Sequence, residues 1–168
     1  GNRTTLTVGY SVPVASGVHG QVVSFCDGSD VTVSLFADGS AESKYTVSVP
    51  GGTKDSSGQY TTTYDIPGVA PGTYTMQVSK KNHVTREYTV TVSGDAVTQD
   101  VKIHLMGDIN GDGRISIGDI NQANLHAKGK KILLGYELAC ADINGDGRVT
   151  TSDVNKMNLH NKGKSLLW

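Results

Sequence analysis

The chain has 168 residues, long enough for one or two small domains. Its formal net charge is −1, with 15 Lys and Arg interspersed among 16 Asp and Glu, so nothing argues for nucleic acid or an anionic membrane surface as partner. No apolar stretch approaches the ~20 residues that a bilayer span requires. The chain opens Gly1-Asn2 without a signal peptide, which reads as a fragment excised from a longer secreted protein.

Residues 1–105 follow a two-residue period. Val31-Thr-Val33-Ser-Leu35, Tyr45-Thr-Val47-Ser-Val49, Tyr74-Thr-Met76-Gln-Val78, Tyr88-Thr-Val90-Thr-Val92 and Val101-Lys-Ile103-His-Leu105 alternate apolar and polar side chains, as strands with one buried face do. Asp38-Gly39-Ser40, Gly51-Gly52 through Ser57-Gly58, Pro71-Gly72 and Lys81-Asn82-His83 punctuate them as turns. Seven or eight short strands at this spacing predict an antiparallel sandwich. Tyr10, Tyr45, Tyr60, Tyr64, Tyr74 and Tyr88 are candidate sugar-stacking platforms, but three of them lie in strand patterns that predict burial. The run from Ile66-Pro-Gly through Pro71-Gly-Thr-Tyr74, followed by Lys81-Asn-His-Val-Thr-Arg86, resembles the carboxypeptidase-regulatory-like (CnaB or transthyretin-type) sandwich.

The chain then changes character. Asp108-Ile-Asn110-Gly-Asp112-Gly113-Arg114-Ile115-Ser116-Ile117-Gly118-Asp119 is a twelve-residue loop with oxygen side chains at the first, third, fifth and twelfth places and Gly at the sixth. Asp142-Ile-Asn144-Gly-Asp146-Gly147-Arg148-Val149-Thr150-Thr151-Ser152-Asp153 repeats it at an offset of 142 − 108 = 34. That pattern wraps a hard cation in six to eight oxygens, and calcium suits it better than magnesium, which wants stricter octahedral geometry. The expected ligands in the first loop are the side chains of Asp108, Asn110, Asp112 and Asp119, the carbonyl of Arg114, and Ser116 directly or through water. In the second they are Asp142, Asn144, Asp146, Asp153, the Arg148 carbonyl and Thr150, which makes two Ca²⁺ in all.

The offset carries on through Asn121/Asn155, Asn124/Asn158, Leu125/Leu159, His126/His160 and Lys128-Gly129-Lys130/Lys162-Gly163-Lys164. Each loop therefore leads into a helix of about ten residues that stops at Gly. Ile115 and Val149 are placed to pair the loops back to back, and Lys131–Cys140 reads as a connector with a short helix. No helix enters the first loop, because the strand pattern of Val101–Leu105 runs into it with only Met106-Gly107 between. The twelfth ligand is Asp, not the Glu of sensors. A half-motif lacks the second helix that a sensor swings, so the calcium is structural.

Those loops, the single exiting helices and the Lys-Gly-Lys ends resemble the dockerins, specifically over about residues 107–168. The Leu-His-x-Lys-Gly-Lys endings and Leu166-Leu167-Trp168 look most like dockerins of ruminococcal gut bacteria. The resemblance implies a small helical domain at 106–168, with repeats at 107–130 and 141–164, that docks onto a cohesin of a scaffoldin in a cellulosome-like assembly. It further implies that the sandwich is an X-module-like companion, and that the protein is secreted by an anaerobic bacterium and monomeric when unbound. The partner face carried over from the family is Ile117, Gly118, Asn124, Leu125 and Lys128 with Thr151, Ser152, Asn158, Leu159 and Lys162. Independently, Ile120, Ala123, Val154 and Met157 are spaced for one inward helix face. Leu125 and Leu159 lie about 140° round from it, either exposed as anchors or packed between the helices. The apolar Ile117-Gly118 differs from the hydroxylic Thr151-Ser152, which predicts one dominant binding orientation.

The remaining residues add little chemistry. His126 and His160 have no close Cys or His partner for zinc and read as helix-surface or contact residues. Cys26 and Cys140 sit in apolar surroundings and are expected reduced and buried, an interdomain disulfide being the alternative. Trp168 with Leu166-Leu167 is placed to fold back near Met106. No nucleophile elbow, phosphate loop or carboxylate pair outside the loops supports an enzyme. The competing function is a carbohydrate-binding sandwich with the calcium module as a stabilising end cap.

Overall fold

The computed structural model describes residues 16–168; Tyr10, one of the tyrosines considered above, lies outside them. Among the described residues nine strands precede three helices: β1 (Gly17–Ser24), β2 (Val31–Ala37), β3 (Ser43–Val49), β4 (Thr53–Lys54), β5 (Tyr60–Pro67), β6 (Gly72–Lys80), β7 (Arg86–Val92), β8 (Val97–Thr98), β9 (Val101–Lys102), α1 (Ile117–Ala127), α2 (Gly135–Ala141) and α3 (Thr151–Asn161). One sheet runs β4-β5-β1-β8, with β9 also on β1, and the other runs β3-β2-β6-β7.

The two-residue period does what it predicts. Val31, Val33 and Leu35 of β2 are fully buried, and their antiparallel partners on β6 include Met76 and Val78, buried as completely. Val18, Val22 and Ile66 answer from the facing sheet, so the two inner faces share one core. Each such aliphatic side chain contributes about 1.5–3 kcal/mol by leaving water. The tyrosines join this core. Tyr64 and Tyr74 are buried and donate their hydroxyls to the carbonyls of Gln99 and Ala70, both at 2.8 Å. Tyr45, Tyr60 and Tyr88 are half-buried.

The last strand is shorter than the sequence pattern predicts. Only Val101 and Lys102 pair with β1, in parallel, although Ile103 N–H still reaches the Val23 carbonyl at 3.0 Å. His104 and Leu105 then leave β1 for the turn between β6 and β7. Val84 N–H donates to the His104 carbonyl at 2.9 Å, and Leu105 bridges His83 in antiparallel fashion. The chain thus crosses from one sheet to the other before it enters the first loop.

A second core begins there, built from Ile109, Ile115, Ile120, Ala123, Leu133, Cys140, Ile143, Val149, Val154 and Met157. Ile120, Ala123, Val154 and Met157 all face inward, as their helical spacing requires. Ile115 and Val149 are buried in this same core, though among the described residues no β-bridge joins them. The connector helix α2 is tied to the sandwich by Tyr136. Its hydroxyl donates to the Val84 carbonyl at 2.6 Å and accepts the His104 N–H at 2.9 Å, while Arg86 stacks 4.5 Å over its ring.

The cysteines separate. Both are free, and Cys140 is buried, but Cys26 is exposed, against expectation. Where β1 ends, Phe25 turns inward and leaves Cys26 outward at a positive φ of 76°.

Candidate metal loops and helix face

Each helix starts from its loop by the same device. Ser116 and Thr150 are the N-caps, and each forms a capping box with the carboxylate three residues on, Asp119 or Asp153. These two aspartates are fully buried. Asp119 Oδ1 accepts the N–H groups of Ile109 (2.9 Å) and Asn110 (3.1 Å), and Oδ2 accepts the Ser116 N–H (2.9 Å) and hydroxyl (2.8 Å). Asp153 does the same for Ile143, Asn144 and Thr150 at 2.8–3.2 Å. One residue therefore ties the start of a loop to the start of a helix.

The first residue of each loop holds the middle. Asp108 accepts the N–H groups of Gly111, Asp112 and Gly113, and Asp142 accepts those of Gly145, Asp146 and Gly147. Gly113 and Gly147 lie at φ of 88° and 84°, in the left-handed region where a Cβ would strain the turn. Asn110 and Asn144 accept the N–H groups of Asp112 and Asp146. Arg114 and Arg148 point to solvent, each donating its N–H to the aspartate two residues back.

In the first loop the oxygens of Asp108, Asp112 and Asp119 lie within 4.8 Å of one another, and among the described residues no second carboxylate group is as compact. Unscreened, such a cluster repels itself strongly. Burial, followed by the neighbouring Asp119 and Asp112 charges, pushes the Asp108 carboxyl up to about 6 against the N–H bonds from Gly113 and Asp112. Asp153 goes the other way. Burial raises it, but the hydrogen bonds from Thr150, Asn144 and Ile143 outweigh burial and hold it below the usual carboxylate range. Converging carboxylate oxygens around a small gap are the donor set a hard divalent cation takes.

Of the helix face expected to meet a partner, Ile117 is 67% exposed, and Leu125 and Leu159 are each 40% exposed, so neither Leu is taken up by packing between helices. Gly118, Lys128, Thr151, Ser152 and Lys162 are exposed as well, and Asn124 and Asn158 are half-buried.

His126 and His160 are structural rather than superficial. Each Nδ1 accepts a backbone N–H seven residues on, from Leu133 and from Leu167, both at 2.9 Å. The turns between close as Schellman motifs, with Lys130 N–H on Leu125 and Lys164 N–H on Leu159. The signal was in the sequence, because the 34-residue offset continues to Leu133/Leu167 and on to Leu134/Trp168. Leu167 and Trp168 do fold back, the indole N–H donating to the Met106 carbonyl at 3.2 Å, whereas Leu166 stays 69% exposed.

Among the described residues the sandwich covers the first loop and leaves the second open. The ring of Phe25 lies against Gly113, and the imidazole of His104 against Gly111, so closely that a Cβ at either glycine would collide. Among the described residues nothing lies within 4 Å of the same positions at Gly145 and Gly147. Sequence reasoning missed Phe25 and His104, since no local pattern marks a contact between distant segments.

The two loop-helix units share one helical core. Residues 106–160 match the family model of the dockerin type I domain. Two solved structures are similar over more of the chain: crystal structures of an N-terminal and a C-terminal interface mutant of a type II cohesin-X-dockerin complex from Acetivibrio cellulolyticus. They are 22% and 20% identical to the chain, cover 86% of it and 94% of their own, and have a TM-score of 0.36 each. No curated protein matches the chain. Among the described residues no helix is long and apolar enough to cross a membrane.

Proposed function

We propose that this chain is a non-catalytic, calcium-dependent adaptor that docks its parent secreted protein onto a cohesin of a scaffoldin, in a cellulosome-like assembly of an anaerobic bacterium. The observation that carries the reading is the pair of equivalently wired aspartate loops, each capping a helix of the segment that matches the dockerin model. Two Ca²⁺ are held by Asp108, Asn110, Asp112, Asp119 and the Arg114 carbonyl, and by Asp142, Asn144, Asp146, Asp153 and the Arg148 carbonyl. Ser116 and Thr150 reach the ions through water, since their hydroxyls already serve the helix caps. The domain boundary falls at 105/106, and the sandwich is an X-module-like companion that stiffens the dockerin.

Calcium supplies the charge that lets the carboxylates converge, and so joins metal to fold. A domain of about sixty residues has little core of its own. An ion bound only to the folded form adds about 2.7 kcal/mol at a hundredfold excess over its Kd. With both loops fixed, α1 and α3 present Ile117, Gly118, Asn124, Leu125 and Lys128 beside Thr151, Ser152, Asn158, Leu159 and Lys162 as one face. Tyr64 and Tyr74 are taken into the sandwich core and Tyr45 and Tyr88 pack against it, which weighs against the carbohydrate reading.

Titration calorimetry against a panel of cohesins, in calcium and then in EDTA, tests the reading. Binding to at least one cohesin, lost in EDTA and restored by calcium, is expected. Undiminished binding in EDTA would overturn it.

A further inference from the structure

The two loops are wired alike, hydrogen bond for hydrogen bond, yet they meet different surroundings. In the first, Asp108 is fully buried and Gly111 is buried beneath His104, with Phe25 closing over Gly113. In the second, Asp142 is only half-buried, Gly145 and Gly147 are exposed, and no side chain among the described residues stands over them. The cover on the first loop is itself held in place. Lys102 sits 5.6 Å over the Phe25 ring, and His104 is packed edge-on against Tyr136 at 5.0 Å, while its N–H is bonded to the same tyrosine. Lifting Phe25 and His104 therefore means opening the seam between the sandwich and the helical domain.

We propose that the sandwich makes the two ion sites unequal: it locks the first, whose ion is retained, and leaves the second to exchange freely with solvent. This rests on the calcium reading above. An ion leaves its loop as water replaces protein oxygens one by one. Asn110 and Asp112 are exposed to water as their counterparts in the second loop are, but Asp108 is fully buried where Asp142 is half-buried, and water gains the covered side of the first loop only by displacing the two packed rings. When calcium falls, the second loop empties first and frees the start of α3, with Thr151 and Ser152, from its anchor at Asp153. Asp108, Asp119 and the interdomain seam stay in place. Half of the recognition face is thus switched by calcium, while the other half keeps the domains joined and ready to refill.

The test follows the amide signals of Gly113 and Gly147 in the full calcium-loaded chain after mixing with excess EDTA. The Gly147 signal is expected to change at least about tenfold faster, the ratio that about 1.4 kcal/mol of additional barrier produces. In Phe25→Ala and, separately, in His104→Ala, the Gly113 rate is expected to rise toward that of Gly147, whose own rate stays unchanged. Equal rates at the two glycines in the unaltered chain would overturn the inference while leaving calcium binding intact, and this comparison decides the matter even if neither variant folds. If neither amide responds to calcium or EDTA, the calcium reading fails and takes this inference with it.

Discussion

The Trp168 indole N–H donates to the Met106 carbonyl at 3.2 Å, joining positions 62 residues apart at the entrance to the first loop. The ring also packs 4.5 Å from His160, whose Nδ1 holds the Leu167 N–H. This contact closes the helical domain. Trp168→Ala should lower the stability of the calcium-loaded protein by about 2 kcal/mol, and truncation after Lys164 by at least as much. Thermal melting followed by circular dichroism in excess calcium checks this, and unchanged melting in both would show the tail to be idle.

Asp119 and Asp153 each satisfy four buried or half-buried donors besides any ion. Asp119→Ala should reduce the calcium stoichiometry by one and cost about 3 kcal/mol, because the stranded N–H groups gain no other partner. Asp153→Ala should remove the other ion. Calorimetric titration of each variant counts the sites, and two ions retained in either would contradict the assigned ligands.

The proposed partner face, with Ile117-Gly118 on one helix and Thr151-Ser152 on the other, is not symmetric. Replacing Ile117 and Gly118 by Thr and Ser should weaken cohesin binding by roughly tenfold, about 1.4 kcal/mol, because an exposed apolar anchor is lost. Replacing Thr151 and Ser152 should change it far less. Equal effects from both pairs would mean that the two halves are used interchangeably.

His83 is buried in the seam, its Nε2 accepting the Phe25 N–H at 3.0 Å. Burial pushes the imidazole down to about 4 from an ordinary 6.5. As pH falls, the unfolded chain takes up its proton first. The stabilising contribution is whole above about pH 6.5, shrinks below it, and is gone by about pH 4, a total on the order of 3 kcal/mol. His83→Gln should flatten this part of the stability curve, measured by urea unfolding at a series of pH values.

The two thiols should react differently. Cys26 is exposed, whereas burial pushes the Cys140 thiol up to about 12. A thiol reagent at neutral pH should therefore label one cysteine at once and the second only in denaturant. Two thiols labelled together in the native protein would refute the placement of Cys140.

What could be read in advance followed period and spacing. The alternation Val31, Val33, Leu35 specified which side of β2 is buried, and the 34-residue offset placed both loops and both helices. Burial at Ile120 and Met157 followed from helical spacing alone. What escaped depended on contacts between distant segments. Nothing near Phe25 or His104 announces that a calcium-type loop will rest on them. The outward turn of Cys26 depends on one dihedral after a strand has ended. The exposure of Leu125 and Leu159 was left open because apolar residues are more often inside. His126 and His160 were legible in principle, since the repeat extends to the leucines whose N–H groups they accept.

The parallel placement of β8 and β9 on β1 has a mechanical result. The chain enters β1 at Gly17 and leaves β9 toward the loops, so a force applied across the sandwich from its two ends of chain pulls these neighbours past each other. The bonds from Gln99 to His19 and from Ile103 to Val23 are then strained side by side, and they must break together rather than unzip in turn. A tether that carries load would gain grip from that arrangement without a single added contact.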